Sequence, residues 1–340
     1  MRKLLNTLYI TTPNVYMSKD GTNVVASIEG VETFRIPILN IESIVSFSYM
    51  GASPGFMKSC ADNGVALTFL SPQGRFIARV EGPVRGNVLL RMRQYELSKD
   101  CDFSLHISRI FIAGKIQNSR AVLRRFMRDH GGDQEVERAA ELLNFKKSAA
   151  VNATDAGALR GVEGDAANSY FSVFSKLIVQ QKEDFFFAGR SRRPPKDAVN
   201  AMLSFTYTLL ANDVAAALET VGLDPYVGFL HTLRPGRMSL ALDMEEELRA
   251  YLCDRLVLSL INLKQVSAND FLQQGDSGVI MTDSAKKTLL AAWQARKKEQ
   301  IVHPYLKEKV PIGLLPYVQA ILLARFIRGD IDDYPVFLII

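Results

Sequence analysis

The sequence predicts an α+β fold: a small N-terminal β-rich domain, residues 1–85, followed by a larger all-helical C-terminal domain, residues 86–340. Before Gly82-Pro83 the apolar residues fall in short β-branched or aromatic runs cut by turn dipeptides. Beyond it they recur at helical spacing. Length agrees, since 340 residues correspond to two domains on the usual prior of about 150 residues each.

Taken in order, strands are expected at Leu8–Thr11, Val24–Ile28, Ile44–Phe47, Val65–Phe69 and Arg75–Val80. Asp20-Gly21, Glu29-Gly30, Asn63-Gly64 and Gln73-Gly74 supply the turns, and Pro54–Asp62 makes one short helix. A boundary falls near residues 82–88. Helices follow over Leu89–Leu97, Ile107–Met127, Val136–Leu143, Val199–Val221 and Leu248–Leu263, with Gly222 as a C-terminal stop for the fourth. Phe185–Pro195, carrying Gly189, three arginines and a Pro-Pro pair, reads as a mobile basic loop.

A hydrophobic content of 48% with 23% charged residues is that of a folded, water-soluble chain. Apolar runs such as Leu256–Ile261 and Val336–Ile340 are too short to span a bilayer, and Met1–Asn6 lacks the features of a signal peptide. Three widely spaced cysteines form neither a disulfide framework nor a zinc motif, which fits a reducing cytoplasm and no membrane. The net charge of +5 is concentrated. Lys115, Arg120, Arg124, Arg125 and Arg128 form one cluster, Arg190, Arg192, Arg193 and Lys196 a second, and Arg296–Lys298 a third. Each suits either a phosphate-binding surface or a solvated helix face.

Three features in the helical half could carry chemistry. Glu163 is expected at a helix start among small residues; His231 closes Asp224–His231; and Asp243, Glu245, Glu246 and Glu247 load the beginning of another helix. Helical spacing puts Asp243 with Glu246 and Glu247, and turns Glu245 elsewhere. Two explanations of the acidic run stand open. Carboxylates near a helix N-terminus stabilise it by about 0.3–1 kcal/mol each. A divalent cation would relieve the like-charge repulsion, and carboxylates with one imidazole suit manganese or magnesium, the nitrogen favouring manganese.

Four blocks occur in order: Arg160-Gly161-x-Glu163-Gly164-x-Ala166-Ala167; Pro194-Pro195-Lys196-Asp197-x-Val199-Asn200-Ala201-x-Leu203-Ser204-x-x-Tyr207-Thr208-Leu209-Leu210; Gly222-Leu223-Asp224-Pro225-x-x-Gly228-Phe229-Leu230-His231; and Gly236-Arg237-x-Ser239-Leu240-Ala241-Leu242-Asp243-x-x-Glu246-Glu247-x-Arg249. Together they resemble the CRISPR-associated integrase family, the near-universal enzyme of spacer acquisition, nearest to its I-C branch. The resemblance covers nearly the whole chain, more diffusely before Leu159. It implies metal ligands at Glu163, His231 and Glu246, with Asp243 as an accessory carboxylate. Ala250, where the family often has proline, and Glu245, where it often has an apolar residue, depart from the pattern off the proposed ligand face.

The implied reaction is phosphoryl transfer: a 3′-hydroxyl of a captured DNA fragment attacks a phosphodiester at the edge of a CRISPR repeat, assisted by manganese or magnesium. Arg234 and Arg237 are candidates to hold the scissile phosphate, and Lys115, Arg124 and Arg125 to contact the double-stranded DNA backbone. The resemblance further implies a pair of homodimers bridged by a small ferredoxin-like companion protein, and the strand edges of the β domain are the expected dimer surface. A stand-alone metal-dependent nuclease would use the same residues, and a non-catalytic architectural DNA binder would need none of their chemistry.

Overall fold

A computed structural model describes residues 6–82, 88–192, 194–275 and 278–339. The chain forms two compact units: residues 1–85 with Asp283–Glu299 and Pro311–Leu314, and residues 86–282 with Gln300–Val310 and Leu315–Ile340. The first unit is therefore discontinuous, which a single boundary near residue 85 does not capture.

In the first unit β1 (Thr7–Ile10), β5 (Ser43–Ser46), β6 (Ala66–Leu70) and β7 (Phe76–Val80) form one sheet in the order β1-β5-β6-β7. Its first two pairings are parallel and the last antiparallel. A second, antiparallel sheet holds β2 (Tyr16–Asp20), β3 (Asn23–Ile28) and β4 (Val31–Pro37). Glu29 and Gly30 turn the β3–β4 hairpin with φ of 50° and 82°, the two positive values that a type I′ turn requires. The periodicity reading misses β2 and β4. β2 carries Ser18, Lys19 and Asp20, and almost all of β4 faces out, so neither shows a core-facing apolar run. Helix α1 (Pro54–Asn63) packs Phe56 and Cys60 into a core with Met17, Val24, Ile44 and Leu67.

The second unit is mostly helical: α2 (Val88–Lys99), α3 (Cys101–His130), α4 (Gln134–Val151), α5 (Ala156–Ser172), α6 (Ala198–Val221), α7 (Ser239–Arg249), α8 (Arg255–Asn262) and α10 (Leu315–Arg328). Helix α9 (Asp283–Lys298), which carries the third basic cluster, belongs to the first unit. The unit is not all-helical, because β8 (Phe271–Gln273) and β9 (Val279–Met281) pair in it, and β10 (Gln300–Val302) pairs with β11 (Lys309–Pro311). Helix α6 is long and apolar enough to cross a membrane, but 72% of its most apolar window is buried as this unit's central helix. It ends at Gly222, with φ of 90°, as expected. The helix expected over Leu248–Leu263 is α7 and α8 joined by a π-helical turn, Ala250–Asp254.

The segment Tyr334–Ile339 runs beside α3 and α7. Asn118 of α3 donates to the carbonyls of Glu247 and Phe337 and accepts the N–H of Ile339. One turn earlier, a Cβ added to Gly114 would stand 2.3 Å from Val336 Cγ2. Gly114→Ala should therefore destabilise the protein by about 1–3 kcal/mol through overpacking, despite its gain in helix propensity. Thermal melts should also show Val336→Ala restoring most of that loss; a melting temperature raised by Gly114→Ala alone would contradict this packing.

Candidate active site

The site is built on α7 and the loop that precedes it. Gln94 of α2 holds the start of that loop: its Nε2 donates to the carbonyls of Asp224 and Val227 at 2.8 Å, and its Oε1 accepts the Asp224 N–H at 2.9 Å. The Pro225 carbonyl then accepts the N–H groups of Leu240 (2.9 Å) and Ala241 (3.2 Å). Donors in the first turn of α7 are thus met by backbone, and that turn contains no acid. The dipole explanation of the acidic run fails. Asp243, Glu245, Glu246 and Glu247 lie further along and are all at most 2% exposed.

These four carboxylates serve three surroundings. Asp243 faces the loop, where it accepts the N–H groups of Phe229 (2.7 Å), Leu230 (3.0 Å) and His231 (3.0 Å), and pairs with His231 Nδ1 at 2.7 Å. Because this carboxylate only accepts, His231 Nδ1 carries the proton and Nε2 is the basic nitrogen. Glu246 faces α3: its Oε2 lies 2.9 Å from Lys115 Nζ, which is also 2.6 Å from Glu163 Oε1. Arg249 grips Glu246 with one guanidinium nitrogen and Glu245 with the other. Glu247 points away, accepting from Gln319, Tyr334 and the Phe337 N–H.

Burial acts on all of these acids, and their partners decide the outcome. Burial pushes Glu245 up to about 7, with Arg249 offsetting only part of it. For Glu246 the same burial is outweighed by Arg249 and Lys115, which hold its carboxyl well below the usual range. Glu247 has only neutral donors around it, and burial takes it up to about 7. Asp254, in the π-helical turn, rises to about 6 by burial while accepting from Tyr207 (2.7 Å) and Tyr170 (3.0 Å).

Several placements differ from the sequence reading. Glu163 stands about two turns into α5, not at its start, because Asp155 caps that helix. Asp243 does not share a direction with Glu246; both its oxygens are occupied by the loop, which makes it an orienting group for His231. Glu245 is not turned to solvent, since Arg249 draws it inward. Lys115, a candidate backbone contact, is half-buried between two carboxylates, with 18% of its side chain exposed. Arg120 donates to the Ala140 carbonyl. Arg124, Arg125 and Arg234 are exposed and Arg237 half-buried, with Arg125 paired to Asp129. Arg193 lies outside the described residues.

Sequence reasoning missed Arg249, Tyr207 and Asp254. Arg249 was findable, being three residues after Glu246 and four after Glu245, the spacing of helical ion pairs. Asp254 was not, because the π-helical turn shifts its direction relative to a regular helix. A narrow cleft is lined by Lys115, Arg190, Arg192, Tyr207, Glu246 and Arg249.

Among the described residues no three His, Cys, Asp or Glu side chains converge closely enough to enclose a metal ion as they stand. The donor set still fits a divalent cation. It offers two carboxylates, Glu163 and Glu246, and an imidazole, His231, fixed by a third carboxylate, Asp243, a kind of outer support common around bound metals. Glu246 Oε2 is buried with no hydrogen bond of proper geometry, its contact with Lys115 being an ion pair only.

The family model for CRISPR associated protein Cas1 matches residues 8–295. The chain belongs to the Cas1 family. It is 51% identical over 345 residues to CRISPR-associated endonuclease Cas1 2 of Rhodospirillum rubrum, covering 98% of each chain. It is 49% identical over 340 residues to CRISPR-associated endonuclease Cas1 1 of Chlorobaculum tepidum, covering 99% of each. Two solved structures share the fold. One is a Cas1 protein from Thermotoga maritima, with a TM-score of 0.82, 23% identity, and 95% of this chain and 97% of that one covered. The other is a casposase bound to integration product, with a TM-score of 0.85, 21% identity, and 97% and 93% covered. The β-rich and then mostly helical order is that of the family.

Two outcomes follow from the geometry. A Cβ at Gly228 would lie 2.5 Å from Asp243 Oδ2 and 2.8 Å from the Leu240 nitrogen. Gly228→Ala should therefore push Asp243 off His231 and lower the activity of the site by about 10–100-fold, the usual effect of disturbing a metal-orienting partner. Activity unchanged in Gly228→Ala would show that the Asp243 contact is dispensable.

The second outcome concerns pH. Glu245, Glu247 and Asp254 have folded-state values raised above their ordinary ones. Their stabilising contribution is full below about pH 4, where unfolded carboxyls are protonated, and is lost as pH rises through about 6–7. With chelator present, the melting temperature should fall as pH is raised from about 4.5 to 7. A melting temperature that climbs steadily across this window would refute the assignment.

Proposed function

We propose that the chain is the metal-dependent DNA integrase and endonuclease of CRISPR adaptation, joining 3′-hydroxyl ends of captured DNA fragments to the CRISPR repeat. The observation that carries this reading is the meeting of Glu163 from α5 and Glu246 from α7 at Lys115 of α3, with α7 also orienting His231 through Asp243. Glu163, His231 and Glu246 would hold manganese or magnesium. When bound, the ion supplies Lewis acidity at the phosphodiester and lowers the pKa of the attacking hydroxyl.

This chain's own side chains prepare the rest. Asp243 holds the His231 ring in one orientation through Nδ1. Arg249 and Lys115 keep Glu246 ionised despite its burial, and Arg249 fixes its rotamer. Arg234, Arg237, Arg124 and Arg125 are the candidate contacts to double-stranded DNA, while Lys115 acts at the carboxylates. The further partners proposed are a second copy of the chain and a small ferredoxin-like CRISPR-associated protein, acting on DNA in the cytoplasm. In support of pairing through the β-rich unit, β4 is an edge strand that leaves Val31 and Phe34 exposed.

The test is a strand-transfer assay of labelled DNA ends with a supercoiled repeat-bearing plasmid, with manganese or magnesium titrated. Glu163→Ala, His231→Ala and Glu246→Ala should each abolish joining, and Asp243→Asn should slow it by about 10–100-fold. Glu137→Ala, an exposed acid on α4, should leave it unchanged. Glu245 cannot serve as the neutral control, because it shares Arg249 with Glu246. Joining by Glu246→Ala at the wild-type rate would overturn the assignment. Cleaved fragments with no joined strands would favour a stand-alone nuclease.

A further inference from the structure

Arg190 occupies a cradle that the mechanism above does not use. Three residues on one face of α6, at spacings of four and three, receive its guanidinium. Asn200 Oδ1 accepts from Nη1 at 2.7 Å, Ser204 Oγ accepts from Nη2 at 3.1 Å, and the Tyr207 ring lies 5.2 Å from the guanidinium carbon. Asn200 is itself fixed, since its Nδ2 donates to the Gly189 carbonyl at 2.8 Å and to Asp197 at 2.6 Å. The block Asp197-x-x-Asn200-x-x-x-Ser204-x-x-Tyr207 is thus a device for holding one arginine.

The hydrogen-bond acceptors of Arg190 are an amide oxygen, a hydroxyl and the Ser191 carbonyl; none is a carboxylate. Its Nε is buried without an acceptor. The carboxylates of the same cleft are engaged elsewhere: Asp254 accepts from Tyr170 and Tyr207, and Glu246 lies between Arg249 and Lys115. Arg249 stacks on the same Tyr207 ring at 4.9 Å, so two guanidinium groups flank one aromatic ring beside Glu246. Arg190 as a whole is half-buried, and holding a partly desolvated cation with neutral groups is costly unless its charge has a use.

We infer that Arg190, presented by Asn200, Ser204 and Tyr207, binds a DNA phosphate in the cleft beside Glu246. A phosphate suits the site because a guanidinium offers charge and paired donors to its non-bridging oxygens. Arg190 contacts substrate; Asn200 and Ser204 are positioning residues that act through it. The inference rests on the proposed reading of the chain as a DNA-joining enzyme, and it is tested by binding so that the two can fail separately.

The probe is a fluorescein-labelled branched duplex with the form of a strand-transfer product, made as a series in which each phosphate near the branch is replaced singly by an uncharged methylphosphonate. Arg190→Ala should bind the unmodified duplex about tenfold or more weaker, with a salt slope smaller by about 0.9. At one phosphate position, neutralisation should weaken wild-type binding by a similar factor and leave Arg190→Ala unaffected. Asn200→Ala should reduce the penalty at that same position. Arg190→Lys, which keeps the charge without the fork, should give a smaller loss at that position and replaces Arg190→Ala in the cycle if the alanine variant does not fold. If every position penalises the variants as much as the wild type, the inference is overturned and Arg190 is structural. A wild-type protein that binds no DNA overturns the functional reading and this inference with it.

Discussion

Four carboxylates buried along one eleven-residue helix, α7, are the constraint around which the helical unit is organised. An ionised carboxylate without a partner in the interior costs several kcal/mol, so each needs donors or cations aimed at it. No single neighbour can supply all four, because successive residues of a helix point in different directions. The partners therefore come from everywhere around α7: amides of the preceding loop for Asp243, Lys115 of α3 for Glu246, Arg249 of α7 itself for Glu245 and Glu246, and Gln319, Tyr334 and Phe337 for Glu247. Meeting these demands brings α3, α10 and the residues after Asp333 to the same helix.

The cluster combines a charged centre with a neutral support. Glu246 is kept ionised by two cations and shares one of them, Lys115, with Glu163. Glu247, one residue on, meets only neutral donors. Its network extends through Gln319, whose Oε1 lies 3.0 Å from His303 Nε2, and through Asn118 to Phe337 and Ile339. Lys115 and Asn118 are one turn apart on α3. The neutral network thus fixes the α3–α7 spacing at Asn118, and the same spacing sets the ion pair at Lys115.

The Arg190 cradle lies against this centre through a shared ring. Tyr207 stacks with Arg190 and Arg249, and its hydroxyl is tied to Asp254 in the π-helical turn. Asp254 in that turn reaches both Tyr170 and Tyr207. The ligand helix, its supporting arginine and the proposed phosphate contact are consequently one packed assembly.

Much of this was legible in the sequence. The change from short β-branched runs to helical spacing marks the passage from strands to helices, Gly222 ends α6, and the four blocks carry the family. These features depend on local periodicity, on backbone conformation open mainly to glycine, or on residue types in a fixed order. Strands β2 and β4 were not legible, because an exposed edge leaves no apolar alternation. Nor was the return of α9 to the first unit, since helical spacing is the same wherever a helix packs. For the acidic run, the sequence alone determined that four carboxylates would share five consecutive residues, about one and a half turns of helix. Only the tertiary structure decided that Asp243 serves His231, that Glu245 turns inward, and that Lys115 joins the site, because their partners are distant in the chain and burial, not spacing, makes each partner necessary.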